Sequence, residues 1–299
     1  MNNPMKPCPL SLFAAATALL MLGCIGRPDG PGRLSAQRII SLAPSITETI
    51  YAFGAGDRIV GVSDFCTYPP EVNQLPKVGG YVDPNFEAIL RLKPDLLFLL
   101  KEHAKVKEFC AARGIRYIEI DDHNVPAIIQ SMRIIGPACG KAAEGEKMAA
   151  AMDSSFSLGK SMEGPRPRVL LAVGRDGAGS GNVASVWAAG PNTFYNELIH
   201  AAGGTNVVLD SLNDYPTLSA EAIIRLKPDI IVDAMSSMAQ YANQAQKLKH
   251  DWDEFTMVPA VGDSLVFCVT GDYVTIPGPR LIQFLNDLRQ IIGKWRDRL

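Results

Sequence analysis

The chain has 299 residues, 47% of them apolar and 20% charged, enough to bury substantial cores in one large or two medium domains. Its formal net charge of −2 excludes a nucleic-acid partner held by bulk electrostatics, which would require a basic patch.

In chain order, Lys6 is followed by an apolar run from Leu10 to Leu22 that is too short for a comfortable membrane span and has the make-up of an export-signal core. The run ends in Met21-Leu22-Gly23-Cys24, which resembles the lipobox of bacterial lipoproteins, in which the cysteine becomes the lipidated N-terminus after cleavage. Leu22 and the single basic residue depart from its commonest form. The expectation is a signal peptide over 1–23, then a lipidated Cys24 on a flexible tether over 24–37, rich in Gly and Pro. A plain secretory signal or an uncleaved anchor are the alternatives. The protein is expected outside the cytoplasm, held at the membrane by lipid.

An exported chain meets oxidising conditions, so Cys66, Cys110, Cys139 and Cys268 are candidates for pairing. Three connectivities are open, and Cys110 with Cys139, in the same lobe, is preferred. No pair has CxxC spacing, and a four-thiolate zinc site is not expected.

From Arg38 the pattern is a strand (Ile39 to Leu42), a helix capped by Ser45 or Thr47, and a second strand (Ile59 to Val62). After a loop through Tyr68-Pro69-Pro70 comes Glu87-Ala88-Ile89-Leu90-Arg91-Leu92-Lys93-Pro94-Asp95-Leu96-Leu97-Phe98, which returns 134 residues later as Glu221-Ala222-Ile223-Ile224-Arg225-Leu226-Lys227-Pro228-Asp229-Ile230-Ile231-Val232. Each copy reads as a short helix, a proline-marked turn and a strand buried on both faces. So wide a repeat lies beyond the roughly 20 to 50 residue periods of solenoids and propellers and implies two similar lobes. Glu87 and Glu221 open the two helices, where a carboxylate suits the exposed amides and the helix dipole.

Helices follow from Val106 to Arg113, stopped by Gly114, and through Ile128 and Ile135, with a strand between them (Arg116 to Ile120). Lys141 to Met162, free of proline, predicts one long helix of about 33 Å. A second series begins with the strand Val169 to Val173 and the helix Thr193 to Ala202. It continues with the second module, a helix near Tyr241 to Lys249, the strand Ser264 to Val269 and a helix from Pro279 to Trp295. Strands alternating with helices indicate parallel, helix-covered sheets. The expected fold is α/β: two Rossmann-like lobes, 38–140 and 164–299, joined by a single long helix over 141–163.

Taken together, Arg38-Ile39-Ile40-Ser41-Leu42-Ala43-Pro44-Ser45, Val60-Gly61-Val62-Ser63-Asp64, Tyr68-Pro69-Pro70, Pro76-Lys77-Val78-Gly79-Gly80, the two Lys-Pro-Asp modules and Ala202-Gly203-Gly204-Thr205-Asn206-Val207 resemble the substrate-binding proteins of ABC importers for vitamin B12, ferric siderophores and haem. The resemblance covers nearly all of the mature chain. It implies two α/β lobes on a stiff helical backbone (class III), a ligand in the cleft between them, and modest movement on binding. It also implies that Glu87 and Glu221, one per lobe, dock into arginine pockets of a dimeric membrane permease served by ATPase subunits.

The cleft positions resemble those of the cobalamin-binding members most. Phe65, Tyr81, Trp187 and Tyr215 match aromatic ligand contacts of that group, all expected in loops after strands, and Asp272 matches an aspartate that accepts hydrogen bonds from corrin amides. Aromatic faces suit a wide, flat, partly apolar disc. Leu100 and Ile276 depart from the pattern, standing where a tryptophan and an arginine contact the ligand. The resemblance implies cobalamin or another corrinoid as transported ligand, with haem, ligated by Tyr81, or a ferric siderophore as the alternative. Arg175 is expected as a solvated loop arginine, with contact to an anionic chelate as its alternative.

No catalytic residues, intrinsic cofactor or metal ligands are expected. Gly174-Arg175-Asp176-Gly177-Ala178-Gly179-Ser180-Gly181 lacks the lysine and hydroxyl of a phosphate loop and reads as a mobile loop at the cleft mouth. Ser180 and Ser185 have no nucleophile-elbow context, and the four histidines lie on separate elements. His103, at the end of the first module's strand, is expected on the cleft side. A chelate-processing enzyme, a bare metal-ion binder and a sensor lipoprotein are the rival readings.

Overall fold

In the computed structural model, the described residues are 35–80, 83–160, 164–209, 212–234 and 245–299. The signal sequence, Cys24 and most of the tether lie outside them, as do Tyr81 and the first part of the helix expected near Tyr241. No helix among the described residues is long and apolar enough to cross a membrane.

The elements are β1 (Ile39–Ser41), α1 (Pro44–Ala52), β2 (Ile59–Val62), α2 (Phe86–Arg91), β3 (Leu96–Leu100), α3 (Ala104–Arg113), β4 (Tyr117–Ile120), α4 (Val125–Ala138) and α5 (Ala142–Lys160). They continue as β5 (Arg168–Arg175), β6 (Ser185–Ala188), α6 (Phe194–Ala201), β7 (Thr205–Asn206), β8 (Thr217–Ser219), α7 (Ala220–Leu226), β9 (Ile230–Ala234), α8 (Ala245–His250), α9 (Pro259–Gly262), β10 (Val266–Val269) and α10 (Leu281–Arg296). The first sheet has the order β2-β1-β3-β4 and is parallel throughout. The second has the order β10-β9-β5-β6-β8, with β7 also paired to β5.

The second sheet is mixed, correcting the expectation of a purely parallel one. β6 runs antiparallel to β5, and β8 antiparallel to β6. Both are short, and neither carries an apolar run long enough to stand out in sequence. Trp187 therefore sits within a strand, not in a loop.

Both modules fold as read, with a bond pattern that the sequence did not expose. α2 is capped by Asn85, whose side chain accepts the Ala88 N–H, and α7 by Ser219, which accepts the Ala222 N–H. Lys93 and Lys227 then enter the left-handed region at φ 47° and 46°, breaking each helix before its proline. The Asp95 carboxylate accepts the N–H groups of Gln37 and Arg38 at 2.8 and 3.1 Å, while Arg38 donates back to the carbonyls of Leu92 and Lys93. The second lobe repeats the exchange: Asp229 accepts the Arg168 N–H at 2.7 Å and Arg168 donates to the Leu226 carbonyl at 2.7 Å. Each Lys-Pro-Asp turn is thus locked to the start of a neighbouring strand, at Gln37 and Arg38 just ahead of β1 and at Arg168, the first residue of β5. α1 differs from expectation at its start: Ala43 is the N-cap, without a side-chain bond, and Pro44 occupies the first turn.

Strand alternation divides the core. On the first sheet, Leu96 and Phe98 face inward, whereas Leu97 and Leu99 pack outward with Ile40, Ile89 and Val106. The inner cluster runs on through α1, α4 and α5 to Leu198, Phe284 and Leu288, then to Leu171 and Val232 of the second sheet. Cys110 belongs to the outer layer and Cys139 to the inner one, so the sheet separates the preferred pair. All four described cysteines are free, which corrects the expected pairing.

α5 is held at both ends. Gly136 of α4 and Gly145 of α5 let the two backbones touch: a Cβ at 145 would lie 2.6 Å from the Met132 carbonyl oxygen. Near its far end, Ser155 offers its carbonyl to Arg289 of α10 at 2.5 Å.

Candidate ligand cleft

β5 and β6 carry Val173 and Trp187 to one edge of an open hollow of about 370 Å³, and Tyr195, Tyr215 and Thr275 complete its lining. Trp187 and Tyr215, two of the expected contacts, therefore share a site. Their side chains are 42% and 45% exposed, unusual for large aromatics. Tyr195 is buried behind them, edge-on to Tyr215 with ring centroids 6.3 Å apart, and it braces that ring against Phe284 at the same distance. Burial raises the Tyr215 phenol above its ordinary pKa, with the charges of Asp214 and of Asp122 in the other lobe adding to the effect.

The loop after β2 belongs to the opposing lobe. Phe65 is 60% exposed there and is not part of the hollow's lining. Three residues on, the Tyr68 ring lies over the Arg280 guanidinium at 3.8 Å, so this loop reaches across to the second lobe. Arg280, absent from the residues singled out in the sequence, is the centre of the lobe contact. It donates to both Glu48 oxygens at 2.8 and 2.5 Å, and to both Asp272 oxygens at 2.7 and 3.0 Å. Asp272 begins the single turn that carries Thr275 to the hollow. Its hydrogen bonds from Arg280 hold its carboxyl below the ordinary range, so it is an ionised acceptor beside the cleft whose first partner is an arginine of its own chain. Burial raises the pKa of Glu48 against the pull of Arg280.

One more contact joins the lobes. The Glu197 carboxylate of α6 accepts the Val125 N–H at the start of α4 at 2.6 Å. Within the first lobe, Asp122 accepts the Ser45 hydroxyl at 2.9 Å, and burial pushes its pKa up to about 6, with the nearby charges of Glu102 and Asp121 adding to the rise.

Arg175 is neither solvated nor in a loop. It ends β5 with a fully buried side chain, donating to Asp233 at 2.9 Å and to Asp251 at 2.7 Å. Asp251 also accepts the N–H groups of Gly179 and Gly181 at 2.6 and 2.7 Å, so the glycine-rich segment is pinned to the lobe. The partners of Arg175 lie 58 and 76 residues away, too far for the sequence to reveal. His103 is likewise buried, its Nδ1 accepting the Leu100 N–H at 2.9 Å; burial lowers its pKa. Among the described residues, no group of three or more His, Cys, Asp or Glu converges on a metal position.

Glu87 and Glu221 occupy the second position of α2 and of α7, both exposed. The Ser219 side chain lowers the pKa of Glu221 through a hydrogen bond.

The family model described as "Periplasmic binding protein" matches residues 39–272, most of the chain and both lobes. The chain belongs to the periplasmic binding protein family. Its members bind solutes outside the cytoplasm and are not enzymes. The resemblance read from the sequence motifs is thereby borne out, as is the two-lobed α/β architecture. An uncharacterised ABC transporter substrate-binding lipoprotein of Bacillus subtilis, YvrC, is 29% identical, over 86% of this chain and 80% of that protein. A cobalamin-binding protein of Halobacterium salinarum is also 29% identical, over 83% of this chain and 67% of its own length. Among solved structures, the periplasmic haem-binding protein RhuT of Roseiflexus sp. RS-1 superposes with a TM-score of 0.70 at 26% identity, covering 87% of this chain and 99% of that one.

Proposed function

We propose that this periplasmic binding protein captures a flat metal chelate between its lobes, cobalamin or another corrinoid first, and delivers it to the dimeric permease of an ABC importer. The observation that carries the reading is the hollow faced by Trp187 and Tyr215, whose exposed rings offer apolar surface and lose little side-chain freedom on binding a rigid disc. Phe65, on the opposing lobe, would close over such a disc, and Asp272 would accept from its amides. The Halobacterium salinarum relative supports the corrinoid reading. The likeness to RhuT supports haem as the second, with Tyr81 as its iron ligand, and a ferric siderophore falls in the same class.

In this reading 38–140 and 164–299 act as the lobes and 141–163 as the bridge, after a signal peptide over 1–23. Cys24 carries the lipid and 24–37 is the tether, an assignment supported by the lipoprotein name of the Bacillus subtilis relative. Glu87 and Glu221 contact the permease.

The deciding experiment titrates purified protein with cyanocobalamin and with haemin while visible absorption is recorded. Corrinoid binding that weakens about tenfold on Trp187→Ala or Tyr215→Ala is the expected result. A Soret band lost on Tyr81→Ala would move the assignment to haem. Absence of binding to either would remove the corrinoid and haem readings and leave the ferric siderophore. Incorporation of labelled fatty acid, abolished by Cys24→Ala, checks the anchor.

A further inference from the structure

The strand pair that presents Trp187 is irregular. Ala172 of β5 pairs with Ala188 of β6, yet the next pair is Gly174 with Trp187, so β5 carries one extra residue, Val173, over that step. An insertion of this kind bends the strand and re-aims the side chains around it, and such bulges concentrate beside functional sites. Val173 is directed to the hollow, and Gly174 lies against Trp187 itself.

A Cβ at position 174 would stand 2.9 Å from Cε3 and 3.4 Å from Cζ3 of the indole. The six-membered ring of Trp187 therefore fills the space that any side chain at 174 would need. Backbone conformation does not account for the glycine, because Gly174 lacks the positive φ found downstream at Gly177, Gly179 and Gly181. Nor is the strand free to move aside. Leu171 and Ala172 are paired to β9, and Arg175 is clamped by Asp233 and Asp251.

We infer that Gly174 is a positioning residue for solute capture: the bulge and the missing side chain set the attitude of the Trp187 ring in the hollow, and with it the preference for a flat, rigid solute. This rests on the hollow being the capture site. A Cβ added at 174 must tilt the ring, since the backbone on either side is fixed.

The test joins an emission measurement on ligand-free protein to a double-mutant cycle. Trp187 emission is isolated by subtracting the matching Trp187→Phe protein in each background. Gly174→Ala is expected to change its acrylamide quenching and to weaken the binding of cyanocobalamin or haemin, whichever the wild type takes up, about tenfold. In a Trp187→Ala background the same change should cost no further affinity. Unchanged Trp187 quenching, or losses that simply add, would overturn the inference. If Gly174→Ala fails to fold, pairing it with Trp187→Leu must restore folding, and failure to do so also overturns it. If the wild type binds neither probe, the corrinoid and haem readings fall while the quenching comparison still decides what Gly174 does.

Discussion

Arg280 donates two hydrogen bonds to Glu48, 232 residues earlier in the chain, and this fork-to-fork pair joins the helix that opens one lobe to the turn that precedes the last helix of the other. Glu48 is almost wholly buried, whereas Arg280 keeps some solvent contact. Removing one partner strands the other charge in a poorly solvated place. Glu48→Ala or Arg280→Ala is expected to lower unfolding stability by about 3 kcal/mol, with the double variant losing less than the sum. Denaturant titration at pH 7 measures both. Additive losses would show that the two residues do not act as a pair.

Asp122 provides a pH test. Its carboxyl titrates near pH 6 in the folded chain against an ordinary value of 3.8, so folding takes up a proton between those limits. Its stabilising contribution is then complete below about pH 4 and fades as pH rises through 6. Asp122→Asn, which stays neutral throughout, should be more stable than the wild type at pH 7, and the advantage should disappear below pH 4. Thermal melts across pH 4 to 8 report this; a constant offset would exclude Asp122 as the source.

The paired Lys-Pro-Asp locks should cost alike. Asp95→Ala frees two backbone N–H groups just ahead of β1 and Asp229→Ala the first N–H of β5, each at an exposed position, for a loss of about 1 kcal/mol per site. Because the sites lie in different lobes, the losses should add. Denaturation midpoints of the three variants check this, and coupling between the sites would be unexpected.

Reversing Glu87 and Glu221 to lysine tests the docking proposal. Both side chains are exposed, so stability and solute affinity should stay as in the wild type while uptake into cells or permease-loaded vesicles falls. One reversal should cost less than two. Uptake unchanged by the double reversal would remove these carboxylates from the permease contact.

What the sequence disclosed and what it hid separate along a physical line. The modules were legible because Ile89, Ile223 and the runs Leu96–Leu100 and Ile230–Ala234 owe their pattern to local periodicity. Trp187 and Tyr215, singled out through the motifs around them, line one hollow. Arg175 was misread because a buried cation is recognisable only by its carboxylates, and Asp233 and Asp251 reach it through the fold. Arg280 was overlooked for the same reason; Gly278-Pro279-Arg280 ahead of a helix was the only local sign. β6 and β8 were missed because four- and three-residue strands bounded by loops show too little alternation.

The grip on α5 at Gly136–Gly145 and again at Ser155 has a consequence for exchange with solvent. To widen the gap between the sheets, the molecule must bend a helix fastened near each extremity, a deformation with no proline or bulge to localise it. The aperture should therefore breathe by small excursions rather than swing, and an arriving solute would meet rings already close to their final places. If the hollow is the capture site proposed above, little reorganisation then opposes association, so selectivity falls to its shape and chemistry instead of to a closing motion.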